Sequence, residues 1–186
     1  MLLYGQVLLF VLGTAALLYV SRGPLRQPRS HGFYRFFAWE CILALIVLNL
    51  PVWDRDPLAP HQLLSWGLLI ASAWLPIHAV RLLKQIGRPT DGRNDDAALY
   101  GFEKTSTLVT TGAFRYIRHP MYAALIFLAW GAFFKQFTAL NLALVLAATV
   151  LLFITARRDE AECLAHFGEA YRAYMQRTRR FIPFVL

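Results

Sequence analysis

The sequence predicts an all-α integral membrane protein with about five transmembrane helices and an amphipathic helical segment near its C-terminal end. Hydrophobic residues make up 58% of the 186 residues and charged residues only 16%, which is more apolar than a soluble domain of this length can bury. Four apolar stretches have the roughly 20 residues that a helix needs to cross a bilayer. They are Leu2–Val20, Phe36–Trp53, Leu63–Leu83 and Phe137–Ala156.

A fifth apolar run, Met121–Phe134, is shorter than a full crossing. Only Lys135 and Gln136 separate it from the stretch that follows. We therefore expect these two segments to form a tight helical hairpin whose first arm is tilted or only partly inserted. The first stretch could instead be a cleaved signal sequence, but it lacks a basic start and a small-residue cleavage motif before Ser21. We therefore expect it to be a retained span.

The basic residues predict the orientation of this bundle. Of the 19 Lys and Arg residues, all but Arg55 and Lys135 fall in the segments on one side of the predicted spans. The positive-inside rule then places the N-terminus outside and the C-terminus in the cytoplasm, in agreement with an odd number of crossings. This asymmetry, together with anionic lipid headgroups, accounts for the net charge of +8, so no nucleic-acid partner is implied.

The positions of the two cysteines and the lack of sequence repeats indicate how the chain is organised. Cys41 falls in a predicted span and Cys163 in the cytoplasmic tail, and no metal-ligand spacing is present. Neither a disulfide nor a metal site is therefore predicted. Because no repeat or low-complexity tract divides the chain, we expect a single membrane domain over residues 1–186.

Two polar stretches on the predicted cytoplasmic side remain to be explained. Within Ile86–Arg118, the sequence GRPTDGRNDD predicts a turn-rich loop, and TSTLVTTGAF predicts an extended segment with a glycine turn. After the last span, ARRDEAECLAHFGEAYRAYMQR has helical periodicity with Gly168 near its middle. Its apolar face carries Leu164, Phe167, Tyr171 and Tyr174. We expect an amphipathic helix or a broken pair of helices folded back under the bundle, and burial of the apolar end RRFIPFVL.

The triplet Arg118-His119-Pro120 stands directly before the fifth apolar run. Proline suits the first turn of a helix, where its missing N–H costs nothing. Arg118 and His119 are thus expected at a helix N-terminus at the cytoplasmic mouth of the bundle, where free N–H groups and the helix dipole favour an anionic ligand such as a carboxylate. The same triplet is also compatible with simple interfacial anchoring, and its spacing alone does not separate the two interpretations.

Three motifs follow one another in the C-terminal half of the chain. They are LVTTGAFRYIRHPMY at residues 108–122, DEAECLAHFGEAYRAY at 159–174 and RFIP at 180–183. Together they resemble the isoprenylcysteine carboxyl methyltransferase family and its bacterial relatives, which are membrane methyltransferases that use S-adenosylmethionine. The resemblance covers roughly residues 105–186, and it implies a location in a bacterial inner membrane.

The resemblance implies a cytoplasmic cofactor region formed by about residues 100–122 and 157–186. Positions that match cofactor contacts of the family are Thr107, Leu108, Val109, Phe114, His119, Pro120, Tyr122 and Asp159. The acid pair of the family corresponds to Asp159 and Glu160. At one position where relatives often carry an arginine, this chain has Thr155. Arg157 or Arg158 would then take the role of that arginine. We take Glu160 and Arg157 as the candidate catalytic residues.

The predicted chemistry is methyl transfer from S-adenosylmethionine to a small lipophilic acceptor that arrives from the bilayer. No Gly-x-Gly-x-x-Gly occurs, so a Rossmann pocket is not indicated. Displacement at a sulfonium requires mainly alignment of donor and acceptor and exclusion of water, without a metal. The sequence leaves open whether oxygen, nitrogen or sulfur is methylated.

Two other functions remain as alternatives. NADPH-dependent reductases of sterol- or enone-type lipids share a similar arrangement of Arg-His-Pro and tyrosines, but the LVTTG run and the short length favour the methyltransferase. A non-catalytic membrane partner protein would have no reason to keep Asp159, Glu160 and His119 together. Glu40 and His78 are polar residues within predicted spans, and such residues are candidates for function, although Glu40 could snorkel and His78 could satisfy a kink at Pro76.

Overall fold

The computed structural model describes residues 2–88, 99–101 and 103–183. Six α-helices follow one another in this part of the chain: α1 (Leu2–Leu25), α2 (His31–Asn49), α3 (Pro60–Gln85), α4 (Pro120–Phe133), α5 (Ala139–Phe167) and α6 (Glu169–Arg177). Two 3-10 turns, Leu50–Val52 and Gly112–Arg115, interrupt the connections. The all-α prediction is confirmed. The predicted loop GRPTDGRNDD lies, from residue 89 on, outside the described residues.

Four of these helices, α1, α2, α3 and α5, are long and apolar enough to cross a membrane. The shorter α4 has 14 residues, about 21 Å at a rise of about 1.5 Å per residue, which is less than the roughly 30 Å of a hydrocarbon core. This agrees with the predicted four full spans and one short arm. The protein is thus an integral membrane protein, while the side that each terminus faces stays a prediction.

The boundaries of α2 differ from the predicted span Phe36–Trp53 at both ends. The helix begins earlier, at His31, because the Ser30 hydroxyl accepts a hydrogen bond of 3.3 Å from the Phe33 N–H and caps it. It ends earlier, at Asn49, since Pro51 removes a backbone donor and the chain continues as a 3-10 turn. α1 likewise continues past the predicted Val20 to Leu25.

The helical segment predicted after the last span is broken at Gly168, which is one of the two forms expected, but its first half is not separate from the span. α5 continues without a break through Ala156 to Phe167, since nothing in this stretch stops a helix. The break comes at Gly168, whose φ of +56° and ψ of −132° form a conformation that residues with a side chain rarely adopt. The chain then turns into α6, where Tyr171 and Tyr174 are buried as predicted.

Small residues let the helices of the bundle approach one another closely. α2 packs mainly on α5, and α3 packs on α4. Where α3 meets α4, the Ser65 hydroxyl donates to the Gly131 carbonyl over 2.7 Å. Among the described residues, eight alanines are fully or almost fully buried: Ala38, Ala79, Ala123, Ala124, Ala129, Ala132, Ala148 and Ala156. Such close contacts are typical of helices packed in membranes.

Lys135, in the predicted α4–α5 hairpin, is buried instead of lying in an exposed loop. Only 3% of it is accessible, its ammonium donates to the Gln62 carbonyl oxygen over 2.9 Å, and it lies 3.6 Å from the centre of the Trp66 ring. Next to it, the Asn141 amide donates to Asn49 over 3.0 Å. Polar contacts of this kind are stabilising within an apolar bundle, so they fix the hairpin against α2 and α3.

The segment after α6 returns to the start of α4 and is tied there by backbone hydrogen bonds. Arg179 donates its N–H to the Tyr116 carbonyl over 3.0 Å, and its own carbonyl accepts from the Arg118 N–H over 2.7 Å. The Arg180 carbonyl accepts from the His119 N–H over 3.0 Å. We call residues 178–183 the tail. Its Phe181 is buried, as expected for the apolar end of the chain.

Candidate active site

A cavity opens at the end of the bundle where α2 and α4 begin and α5 ends. It contains about 730 Å³ of space free of atoms, counting its open mouth. His31 of α2, the segment before α4, Asp159 and Cys163 of α5, and Tyr171 and Tyr174 of α6 form its walls. We call it the main cavity.

The structure brings most of the predicted cofactor residues together in this cavity. Those that line it are Leu108, Val109, Phe114, His119, Pro120, Tyr122 and Asp159. Thr107 is exposed and does not line it, and its N–H donates to the Gly87 carbonyl over 3.1 Å. The candidate catalytic residues Glu160 and Arg157 also lie outside the lining. The roles of all these residues stay predictions.

Gly112 shapes the turn that carries Phe114 into the main cavity. Its φ is +59°, and a Cβ atom there would lie 2.6 Å from Leu82 Cδ1 and 2.7 Å from His78 Nε2. Glycine is therefore required both by the backbone conformation and by the close approach of α3. Tyr174 secures the turn from the other side, because its hydroxyl donates to the Phe114 carbonyl over 2.6 Å. His78 thus packs behind this turn and does not line the cavity.

His119 lies between two carboxylates at the start of α4. Its Nδ1 is 3.4 Å from Asp159 Oδ2, and its Nε2 is 3.5 Å from Glu160 Oε1. Asp159 Oδ2 also accepts a hydrogen bond of 3.0 Å from the Tyr122 hydroxyl, and the His119 and Tyr122 rings stack at 5.2 Å. Only 5% of His119 is accessible, so it is buried at the start of α4, the helix N-terminus at which the sequence placed it. Carboxylates of the protein itself face the helix start, where an anionic ligand was expected.

The two carboxylates control the protonation of this histidine. Burial disfavours the charged imidazolium, but the hydrogen bonding and negative charge of Asp159 and Glu160 outweigh this effect, and the pKa of His119 is raised above its usual value. A group whose pKa is raised on folding stabilises the protein fully below its unfolded pKa, about 6.5 for histidine, and that stabilisation is lost as the pH rises through the folded pKa.

We therefore expect the parent protein to lose stability, relative to His119→Gln, as the pH rises above the ordinary histidine pKa of about 6.5 and through the raised pKa of His119. Thermal unfolding in detergent at a series of pH values measures this difference. His166→Gln, a change at an exposed histidine near the end of α5, serves as the control and should follow the parent. If the difference in unfolding temperature between the parent and His119→Gln stayed constant or grew with pH, this would contradict a stabilising positive charge on His119.

Glu160 joins two arginines and holds the tail in place. Arg118 Nε donates to Glu160 Oε1 over 2.8 Å, and Arg180 donates to both carboxylate oxygens over 2.9–3.1 Å. Arg118 Nη1 also donates to the Met175 carbonyl over 3.2 Å and to the Thr178 carbonyl. Glu160 is 4% exposed. We call Arg118, Glu160 and Arg180 the clamp.

The replacement for the family arginine receives little support from the geometry. Thr155 is fully buried within α5, and its hydroxyl donates to the Leu151 carbonyl over 2.8 Å. Arg157 is exposed and outside the main cavity. Arg158 is also exposed and lies over the Tyr34 ring at 5.8 Å. Neither arginine lines the main cavity.

Sequence reasoning missed a buried ion pair between α2 and the segment before the main cavity. Arg35 is 2% exposed, and its Nη1 donates to Glu103 Oε1 over 2.7 Å. Its guanidinium also lies 4.5 Å from the centre of the Tyr100 ring. In the sequence, Arg35 looked like one more basic residue at a membrane boundary. Its burial depends on Glu103, which is 68 residues away and belongs to none of the motifs.

An apolar groove between α2, α3 and α4 meets the main cavity. It contains about 890 Å³ of free space, counting its open side, and its walls include Trp39, Pro76, Leu125 and Leu128. We call it the lateral groove. Glu103, Met121 and Tyr122 line both the groove and the cavity. Glu40 lines neither and instead accepts a 2.8 Å hydrogen bond from Thr14, which ties α2 to α1.

Comparison with known proteins agrees with this architecture. Residues 62–170 match the family model described as phospholipid methyltransferase. The chain is 31% identical over 168 residues to methanethiol S-methyltransferase 1 of Bradyrhizobium diazoefficiens, which covers 84% of this chain and 55% of the relative. It is 25% identical over 154 residues to methanethiol S-methyltransferase of Pseudomonas deceptionensis, with 80% and 53% covered. The chain thus spans about half the length of these curated relatives.

No solved structure matches the chain. The family match nevertheless extends over more than half of the sequence and includes α3, α4, α5 and the start of α6. It confirms the sequence-based resemblance to a membrane methyltransferase family, and such a family implies the use of a methyl donor. The chain therefore belongs to the phospholipid methyltransferase family.

Proposed function

We propose that the protein transfers a methyl group from S-adenosylmethionine to a small lipophilic acceptor that enters from the bilayer. One observation carries the proposal: a partly polar cavity and an apolar groove meet at Glu103, Met121 and Tyr122. A water-soluble donor and a membrane-dissolved acceptor need two such compartments with a shared wall. Both relatives named above are methanethiol S-methyltransferases, so a thiol is the first acceptor class to test.

The residues of the main cavity fit the parts of S-adenosylmethionine. Asp159 offers a carboxylate for its cationic groups, and Arg118 offers a guanidinium for its carboxylate. His119 also lines the cavity, with its Nδ1 3.4 Å from Asp159 and its Nε2 3.5 Å from Glu160. The adenine would lie against the apolar wall formed by Leu108, Val109 and Phe114. When bound, S-adenosylmethionine supplies the electrophilic methyl group.

The lateral groove fits the acceptor. Its lining is almost wholly apolar, with Trp39, Leu125 and Leu128 toward the bundle and the Arg35–Glu103 pair where it meets the main cavity. An apolar chain is stabilised there, while a polar reacting group reaches the shared wall. The orientation that goes with this proposal has the main cavity on the cytoplasmic side of a bacterial inner membrane, with the N-terminus outside.

The test is a pair of measurements on protein purified in detergent. Calorimetric titration with S-adenosylhomocysteine and with NADPH should show binding of the first and not of the second. Incubation with methyl-labelled S-adenosylmethionine and octanethiol, decanoate or decylamine should then label the thiol. Binding of NADPH alone would favour the lipid reductase, and binding of neither compound would favour a non-catalytic membrane partner.

Filling the lateral groove should separate acceptor binding from cofactor binding. Leu125→Trp places extra volume in the groove, and overpacking of this kind typically costs about 1–3 kcal/mol. We expect the KM for octanethiol to rise about tenfold or more, with unchanged affinity for S-adenosylhomocysteine. Leu146→Trp, on the exposed face of α5 where Leu146 is 48% accessible, is the matched control and should leave both values unchanged. Unaltered KM in Leu125→Trp would remove the groove from the acceptor path.

A further inference from the structure

A histidine outside the sequence motifs is held in the wall of the main cavity by a glutamate of α5. His31 is 1% exposed. Its backbone N–H donates to Glu162 Oε1 over 2.8 Å, and its ring Nδ1 lies 2.5 Å from Glu162 Oε2. One carboxylate thus engages both the first N–H of α2 and the side chain of the same residue. The ring is fixed in orientation, and Nδ1 is committed to Glu162.

The other ring nitrogen is left for a ligand. Nε2 of His31 is buried and has no hydrogen-bond partner within the described parts of the chain, and buried polar atoms are normally satisfied. His31 lines the main cavity, and it offers a ring nitrogen within 4.8 Å of carboxylate oxygens of Asp159 and Glu162. Asp159 in turn binds the hydroxyl of Tyr122, a residue of the shared wall. Asp159 therefore lies between His31 and Tyr122, and Tyr122 belongs to the wall that the main cavity shares with the lateral groove.

We propose that His31 Nε2 accepts the proton of the acceptor group during methyl transfer, with Glu162 as its positioning residue. This rests on the proposed function. For a thiol acceptor, the sulfur forms a bond to the methyl carbon while the bond from that carbon to the donor sulfonium breaks. The S–H proton passes to Nε2, and the electron pair of the S–H bond stays on the acceptor sulfur. The positive charge lost by the sulfonium reappears on the imidazolium, so atoms and charges balance.

The surroundings of His31 suit this role. Thiols ionise mostly above neutral pH, so a neutral lipophilic thiol needs a base, and a positioned base typically contributes about 10²–10⁴ in rate. In its neutral form, with its proton on Nδ1 toward Glu162, the imidazole presents Nε2 as an acceptor. The charged groups that face the ring among the described residues are Glu162 and Asp159 of α5 and Arg35 of α2. The two carboxylates stabilise the imidazolium that proton transfer creates.

The test compares two thiols that differ in acidity. Octanethiol is largely protonated at neutral pH, whereas 4-nitrothiophenol is largely ionised and needs no base. We expect His31→Gln to slow single-turnover methylation of octanethiol about 100-fold or more, and that of 4-nitrothiophenol only a few-fold. Glu162→Gln, which keeps the volume but removes the charge, should show the same selectivity with a smaller loss. Because His31 lines the cavity assigned to the cofactor, both rates are measured at saturating S-adenosylmethionine, so that a change in cofactor affinity does not enter the comparison.

The contrast between two acceptors within one variant keeps the test valid even if a variant is less stable. His166→Gln should leave both rates unchanged. Equal loss with both thiols would overturn the proposal in favour of a structural role. Tightly bound metal in the parent, with loss of both rates after chelation, would overturn it in favour of a metal site at His31, Asp159 and Glu162. A parent that fails to bind S-adenosylhomocysteine, or that binds it without methylating either thiol, would instead refute the proposed transfer to a thiol, on which the role of His31 rests.

Discussion

Replacing Glu160 by alanine is expected to destabilise the protein by about 3–5 kcal/mol, the range for removing one partner of a buried ion pair. Arg118 and Arg180 would lose their common carboxylate, and Arg118 is itself buried, with 8% of its side chain accessible. The tail would lose a major attachment to the start of α4. Thermal or denaturant unfolding in detergent measures the change, and binding of S-adenosylhomocysteine should fall with it because the tail helps to hold His119.

An exposed ion pair in the same region supplies the control. Glu169 and Arg172 lie 3.3 Å apart, with 84% and 66% of their side chains accessible, and pairs of this kind contribute no more than about 1 kcal/mol. Glu169→Ala should therefore unfold almost like the parent. Equal stability of Glu160→Ala and Glu169→Ala would mean that the clamp does not hold the tail.

His119→Ala is expected to weaken binding of S-adenosylhomocysteine by about tenfold to a hundredfold. This corresponds to about 1.5–3 kcal/mol, the range for a hydrogen bond to a charged partner. Because the ring is buried and stacks on Tyr122, the same change should also destabilise the free protein by about 1–3 kcal/mol. Calorimetric titration and thermal unfolding give the two values.

Pro120→Ala is the comparison for this experiment. Alanine is tolerated in the first turn of a helix, so its effects on both values should be milder than those of His119→Ala. Simple interfacial anchoring by the Arg-His-Pro triplet makes a different prediction, namely unaltered affinity in both variants. Equal dissociation constants for His119→Ala and the parent would falsify the cofactor role of this histidine.

The spans were predictable because the signal for a transmembrane helix is local. About 20 consecutive apolar residues suffice, wherever the rest of the chain lies. The end of α5 was not predictable in this way, since its polar residues after Ala156 resemble a surface segment. They continue the helix because they pack on the N-terminal end of α2, as in the contact between His31 and Glu162, which are 131 residues apart.

The residues of the candidate site likewise fall into those that a local sequence pattern could predict and those that it could not. The resemblance found the residues of the main cavity that lie in contiguous motifs, such as Val109 and Tyr122. It could not find the buried charges Arg35 and Lys135, since their burial is made possible by partners 68 and 73 residues away. A motif also carries no partner information. Glu160 was recognised as half of an acid pair, whereas its engagement by two arginines needed the folded chain.

The parallel bridge between Ile117 and Arg179 has a consequence for biogenesis. Translation proceeds from the N-terminus, so α1 to α4 are made and can enter the bilayer before residues 178–181 exist. A nascent chain of this length therefore contains the first four helices but not the tail, whose backbone is hydrogen-bonded to the start of α4. We therefore expect the start of α4 to become fully ordered only after the helices before it have entered the membrane.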